Sequence, residues 1–283
     1  MTTPVLPLPH LIEGRFASLD VYTDEALFER TGVRIAFTTR SGGVSVGAYD
    51  SLNLASHVDD DPVCVRENRA LLLKALAQEV CPLIVPSQVH GDHIVVIDDG
   101  ADVEACAKRA EQGADALTIG VSGVAALLCF ADCVPVIAVS PTGRFSVIHA
   151  GWRGVENGIT AKAVHEMAVF ESSLFGGDPL DRAREFNIYI GAYIHAECFE
   201  TGDAVHRLFV DKYGPDCAFD ECHIDLGRAL HTQLEWQGVQ SRRIADLGKC
   251  SVCSNETFFS FRAQGGIAGR HGAFAVRDDR ERR

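Results

Sequence analysis

Val124-Ala125-Ala126-Leu127-Leu128-Cys129-Phe130, then Ala131-Asp132-Cys133, then Val134-Pro135-Val136-Ile137-Ala138-Val139: this stretch decides the fold. One apolar run leads into Cys133 and a second leaves it. A third, Phe145 to Ile148, ends on His149-Ala150-Gly151-Trp152-Arg153-Gly154. Short apolar runs bounded by turn residues predict buried strands. A thiol and an imidazole therefore stand at strand ends, beside a glycine turn that carries an arginine. Such positions hold reactive side chains still and leave them open to a ligand.

Outward from this centre the pattern mixes strands and helices. Val33 to Thr38 reads as a strand that runs into the polar loop Thr39-Arg40-Ser41-Gly42-Gly43-Val44-Ser45. Asp61-Pro62 reads as an N-cap with proline at the first helical position, opening a helix to about Ala77. Leu83 to Val89 and Ile94 to Ile97 read as strands around Gln88-Val89-His90-Gly91. Helices are expected near Asp24 to Arg30, over Asn157 to Phe170, over Ala204 to Tyr213, and from Asp225 to Gln237 with Gly238 as the stop. Phe186 to Ile194 and Ala273 to Val276 read as further strands. Hairpins are as well supported as crossovers, so the expected class is α+β, a single-domain sandwich of mixed β-sheets flanked by helices. The expected division is an N-terminal arm over 1–32, one catalytic domain over 33–276 and a charged tail over 277–283.

Composition bounds the function. With 283 residues and 47% hydrophobic content the chain can bury a large core. A formal net charge of −13 repels phosphate backbones and anionic lipid, which argues against nucleic acid and membrane as partners. No apolar stretch approaches the ~20 residues of a bilayer span, and the Pro-rich start does not read as a signal peptide. Ten cysteines without a secretory signal read as reduced thiols in a cytoplasmic protein, a monomer or weak oligomer.

His90, Cys133 and His149 each follow an apolar segment and meet a polar or glycine-containing turn. Two imidazoles and a thiolate suit zinc, with a fourth position free for water or substrate. Their separations of forty-three and sixteen residues match no local zinc motif. The rival is a Cys133–His149 nucleophilic dyad, with Asp132 as a conceivable orienting group. On the residues alone both readings stay open. Cys217 and Cys222 (C-x4-C) with Cys250 and Cys253 (C-x2-C) have spacings that a structural zinc site can use, and equally suit scattered thiols. Arg40, Arg153, Arg262 and Arg270 lie in or beside Gly- or Ser-containing turns, where guanidinium forks bind phosphate. Asn53 and Gln88 are candidate ribose or base contacts, or ordinary turn caps.

Several of these elements occur together in a fixed order. They are Thr38-Thr39-Arg40-Ser41-Gly42-Gly43-Val44-Ser45, Ser51-Leu52-Asn53-Leu54, Gln88-Val89-His90-Gly91, Ala114-Asp115-Ala116, Ala131-Asp132-Cys133-Val134-Pro135 and His149-Ala150-Gly151-Trp152-Arg153-Gly154. Cys250, Phe258-Phe259-Ser260-Phe261-Arg262 and Gly269-Arg270 follow. From about Val33 to Val276 the chain resembles the laccase-domain or polyphenol oxidase family, whose members include zinc-dependent purine nucleoside phosphorylases. The resemblance implies an α+β sandwich and a catalytic zinc on His90, Cys133 and His149. It implies phosphorolysis of adenosine, inosine, guanosine and methylthioadenosine, with adenosine deamination at the same site. Arg40 is the expected catalytic phosphate holder, helped by Arg153 or Arg270. Asp59, Ala192, Ala263 and Ala268 depart from the family pattern without touching the three ligands. Two other classes stand beside this one. One is a cysteine hydrolase on amide or peptidoglycan-precursor bonds. The other is a copper polyphenol oxidase, for which three N/S ligands fall short of a His-rich copper cluster.

Overall fold

A computed structural model describes residues 5–77 and 81–278. Among the described residues, twelve strands form two six-stranded sheets. The first contains, in spatial order, β1 (Ile12–Phe16), β2 (Leu19–Thr23), β3 (Val33–Thr38), β12 (His271–Arg277), β7 (Ala125–Phe130) and β4 (Leu83–Ile84). The second contains β11 (Ile244–Asp246), β10 (Asn187–Ile190), β8 (Val134–Val139), β9 (Phe145–Ala150), β6 (Ala116–Ile119) and β5 (Ile94–Ile97). Both are mixed: β4 pairs parallel to β7 and β5 parallel to β6, while β8 and β9 form an antiparallel hairpin. The helices are α1 (Glu25–Thr31), α2 (Pro62–Leu76), α3 (Val103–Glu111), α4 (Trp152–Asn157), α5 (Ile159–Phe175), α6 (Pro179–Ala183), α7 (Asp203–Tyr213) and α8 (Leu226–Trp236).

Side chains alternate across a strand, so a strand between two packed layers must be apolar at every position. In β7, Ala126, Leu128 and Phe130 turn to the core between the sheets, with Ile137, Val139 and Val147 of the other sheet. Ala125, Leu127 and Cys129 turn the opposite way, against Leu72 and Leu76 of α2. On the outer face of the second sheet, Val136, Ile148 and Ile188 pack on Ala163 and Met167 of α5 and Leu230 and Leu234 of α8. The molecule is thus an α+β sandwich of four layers, helix–sheet–sheet–helix, and the unbroken apolar runs of the central strands follow from burial on both faces. No helix of the described residues is long and apolar enough to cross a membrane.

Local signals set the ends of several helices. The Asp61 side chain accepts from the Val63 N–H ahead of Pro62, and Asp225 caps α8 through the Arg228 N–H. Three elements differ from expectation. The helix expected over 157–170 is α5, which begins at Ile159 and runs on to Phe175, and a short helix not expected, α4, precedes it, with Gly158 at φ 77° between the two. The strand expected over 83–89 pairs only at Leu83 and Ile84, since Pro86 has no N–H to give a ladder. The strand expected over 186–194 ends at Ile190, where the chain leaves the sheet and the Ile194 N–H bonds the Asp132 carbonyl. The expected N-terminal arm supplies β1, β2 and α1, and β2 pairs with β3. Arg277, placed in the expected tail, belongs to β12; residues 279–283 lie outside the described residues.

Two connections pass between the sheets at one end of the sandwich. β7 leads to β8 through Ala131-Asp132-Cys133, and β4 leads to β5 through the segment that holds His90. β9 ends there as well, because its register sets His149 opposite Pro135 and Ala150 opposite Val134. β12 begins there, with His271 opposite Phe130, so Arg270 stands at the same rim.

Candidate active site

The crossovers bring His90, Cys133 and His149 together, with one ligating atom from each lying within 4.8 Å of the others. The imidazole rings of His90 and His149 meet edge to face at a centroid distance of 4.8 Å. His149 is 3% exposed, Cys133 is partly buried and His90 faces solvent. Gly151 keeps the space open: a Cβ there would lie 3.1 Å from the Cys133 Sγ and 3.2 Å from the His90 Cδ2.

Asp115, fully buried just ahead of β6, organises the cluster. Its Oδ1 meets the His149 Nδ1 at 2.8 Å and accepts from the His90 N–H at 3.0 Å. Its Oδ2 accepts from the Gly91 N–H at 2.7 Å and the Val89 N–H at 3.3 Å. Burial opposes the carboxylate's charge, but the His149 and backbone donors prevail and hold its pKa below the usual carboxylate value. With Nδ1 turned to Asp115, His149 presents Nε2 to the cluster, as carboxylate-backed metal ligands do. His90 sits at φ 60° and Asp132 at φ 91°, backbone that residues other than glycine rarely adopt. The Asp115 carboxylate bonds three successive N–H groups and so fixes the turn at His90.

Charge follows the geometry. Burial disfavours ionising Cys133, yet the attraction and hydrogen bonds of His149 and His90 bring its pKa down to about 6. His149 is pushed up to about 9 by Cys133 and Asp115 against the same burial. A second thiol on the cavity, Cys129, has no such partner and burial raises it to about 11. Cys133 is therefore the thiolate of the pair.

The cluster opens into a cavity of about 320 Å³, within the range of small-molecule sites. Its walls include His57, Gln88, Ile194, Phe199, Phe261, Arg262 and Arg270. Of the residues singled out in the sequence, His90, Cys133, His149, Gln88, Arg262 and Arg270 reach this cavity and Arg40, Asn53 and Arg153 do not. Arg40 bonds the carbonyls of Asp50 and Asn255 and lies over the Phe259 ring, which ties two loops together. Asn53 is buried, bonding Asp60 and the Arg270 N–H. Arg153 is exposed over the Trp152 ring. Gln88 spends both ends of its amide on the backbone of Cys129. Asp132 does not face the dyad; its carboxylate accepts from the Ser251 hydroxyl and the Arg262 N–H.

Asp115, His57 and Phe261 were not among the expected site residues. Ala114-Asp115-Ala116 carried the one usable signal, an acid at the mouth of an apolar strand. The four cysteines weighed as one zinc set do not assemble. Cys217 is buried with its thiol on the Gly214 carbonyl, and Cys222 lies beside Asp220 and His223. Sequence spacing cannot report which loops the fold brings into contact.

A four-layer sandwich with a His–Cys–His cluster at its crossover end defines a distinct class of protein. The chain belongs to the family described as multi-copper polyphenol oxidoreductase laccase, which it matches over residues 34–278. It is 33% identical to adenosine deaminase RL5 of an unknown prokaryotic organism over 250 residues, 84% of this chain and 92% of that one. It is also 33% identical to purine nucleoside phosphorylase YlmD of Geobacillus stearothermophilus over 259 residues, 87% of this chain and 90% of that one. The crystal structure of YlmD from the same organism superposes with a TM-score of 0.79 at 28% identity, covering 95% of this chain and all of that one. The family description names copper. Among the described residues, groupings of three or more possible metal ligands each hold one to three cysteines, and none holds more than two histidines.

Proposed function

We propose that this chain is a nucleoside-processing enzyme that cleaves adenosine, inosine, guanosine and methylthioadenosine by phosphorolysis and deaminates adenosine in the same cavity. The observation that carries the reading is the His90–Cys133–His149 cluster on a cavity that also presents two arginines and two phenylalanines. Relatives named as a purine nucleoside phosphorylase and an adenosine deaminase support it. The residues present fit a zinc ion: two imidazoles and a low-pKa thiolate converge, and the Asp115 carboxylate fixes one tautomer. Zinc held by His90, Cys133 and His149 would supply Lewis acidity. A multicopper cluster is less favoured, because the two imidazoles and one thiolate of His90, Cys133 and His149 fall short of the histidine-rich set it requires.

The chain's own groups supply the rest. Phe199 and Phe261 offer apolar faces to a purine. His57, whose pKa is lowered by burial and by Arg270 and Arg69, is neutral and offers an acceptor to a ribose hydroxyl. Arg270, half-buried at the rim, holds phosphate behind the ribose C1′, and Arg262 guards the mouth. Phosphorolysis passes through an oxocarbenium-like state, so positioning and fixed charge carry most of the rate. Arg40 and Arg153, away from the cavity, hold the fold and the surface instead.

Replacing Cys133 by Ala is expected to abolish both metal retention at the cluster and phosphate-dependent inosine cleavage. A Cys133→Ala protein that still cleaves inosine with phosphate would overturn the assignment. The Cys133 thiolate, the His149 imidazolium and Asp115 behind it also compose a nucleophilic triad, which favours a cysteine hydrolase as the second reading. That enzyme would work without metal or phosphate and would die on alkylation of Cys133.

A further inference from the structure

We propose that Cys198, Cys250 and Cys253, with the carboxylate of Glu197, form a second metal site that takes zinc and clasps the wall of the cavity. The four ligating atoms lie within 4.8 Å of one another. The Sγ atoms of Cys198 and Cys253 are 3.6 Å apart, and Glu197 Oε1 is 3.9 Å from the Cys253 Sγ. The His195 N–H points at the Cys250 Sγ at 3.4 Å, a contact that suits a metal-bound thiolate. Three sulfurs and one oxygen give four donors, the ligand count of a structural zinc. Cys250-x2-Cys253 supplies two ligands from one run of turns, and a bridge between Tyr193 and Cys250 brings that run beside the segment that holds Cys198.

The chemistry of the unmetallated group favours a cation. Each thiolate would repel the next, and a soft dication turns that repulsion into ligation. Three thiol protons leave to solvent as the ion enters, and no electron is transferred. Entry is open, since Cys253 is exposed and Cys250 lies buried beneath it. A disulfide between Cys198 and Cys253 would leave Cys250 unused.

The position explains what such a clasp would do. Ser251, next to Cys250, donates to Asp132, the neighbour of Cys133. Arg262 donates to the carbonyls of Cys198 and Glu200 and, through its N–H, to Asp132. A metal on the three cysteines therefore ties the loops that bear Phe199 and Arg262 to the turn that bears Cys133. This inference concerns a separate ligand set and does not rest on the nucleoside reading.

The test uses the full chain carrying Cys133→Ser, which disables the cavity cluster, purified and kept reduced. It is expected to bind one zinc per chain, and the Cys133→Ser/Cys253→Ser chain to bind none. Cobalt in place of zinc is expected to show an intense sulfur-to-metal charge-transfer band in the first chain only. Chelation of the first chain is expected to speed amide exchange in segments 196–200 and 250–262. Cadmium NMR of the unsubstituted chain, which needs no variant to fold, is expected to show a resonance from a sulfur-rich site. No zinc in the Cys133→Ser chain, zinc that survives loss of Cys253, or no sulfur-rich cadmium resonance would each overturn the proposal. A Cys198–Cys253 disulfide in protein kept reduced would do the same.

Discussion

Replacing Asp115 by Asn tests the logic of the cluster, because the two side chains share a shape and differ in what they accept. The carboxylate faces four donors: His149 Nδ1 and the His90 N–H on one oxygen, the Val89 and Gly91 N–H groups on the other. An amide has one accepting end. If its oxygen faces Val89 and Gly91, the NH2 confronts His149. His149 must then move its proton to Nε2, which cannot ligate a metal in that form. If the amide turns over, two backbone N–H groups face a donor and the turn at His90 loses its brace. Two unsatisfied buried donors cost about 2–6 kcal/mol at ~1–3 each. Outer-shell partners of metal ligands are worth roughly 10–100-fold in affinity. Asp115→Asn is therefore expected to unfold at a lower denaturant midpoint and to release its metal to a chelator at least about tenfold more readily. Chelator competition and urea melts read these two quantities. A variant with unchanged metal affinity would refute the role given to Asp115, whatever its stability.

Four further outcomes follow from particular side chains. His271 is 1% exposed, and burial pushes its pKa down to about 3. The folded state resists its proton while the unfolded chain takes one near pH 6.5. Its contribution is therefore intact above pH 6.5, falls as the pH drops, and levels off near pH 3. His271→Phe is expected to recover about 2 kcal/mol of pH-dependent loss between pH 6.5 and 5, at ~1.36 kcal/mol per unit. Parallel urea-melt profiles for the two proteins over that range would contradict it. Arg270→Gln is expected to raise the KM for phosphate by roughly 10–150-fold, the loss of one charged hydrogen bond. Arg40→Gln should lower stability and leave that KM within about threefold; the reverse pattern would return the phosphate to Arg40. His90→Asn keeps a residue that tolerates positive φ and removes an imidazole. It is expected to cost metal retention and nucleoside cleavage together, whereas activity that persists and remains sensitive to alkylation of Cys133 would favour the hydrolase.

Strand ends were legible in the sequence and the destinations of long side chains were not. β7, β8 and β9 could be read because burial on both faces leaves an unbroken apolar run, and Asp61-Pro62 and Asp225 because caps are local chemistry. His90, Cys133 and His149 could be read because each ends such a run. The four arginines and two amides placed beside glycine or polar turns looked alike, yet Arg40 is held by carbonyls at positions 50 and 255, while Arg270, with Nη1 on the carbonyls of Ala268 and Gly269, lines the cavity. Those acceptors are set by tertiary contact, which no local pattern encodes. Asp115 was hidden for the same reason: its importance lies in four donors, three of them backbone groups more than twenty residues away. Cys198 joins Cys250 and Cys253 across fifty-odd residues, so their spacing could not announce it.

His90 bears most directly on the choice between a metal ligand and a nucleophile. Cys133, His149 and Asp115 alone would serve either chemistry, since a paired thiolate both attacks and ligates. A hydrolase has no evident use for a second imidazole against the first. Yet the fold holds His90 at φ 60°, a conformation that costs a residue with a Cβ about 1–2 kcal/mol. It spends three backbone hydrogen bonds to a buried carboxylate to keep that turn in place. The same carboxylate orients His149, so a single group positions two members of the cluster at once. Strain that the surroundings over-determine at a cavity points to function. Here it favours the proposed metal reading, because the strained turn aims the His90 ring into the space that Cys133, His149 and the missing Cβ of Gly151 leave open.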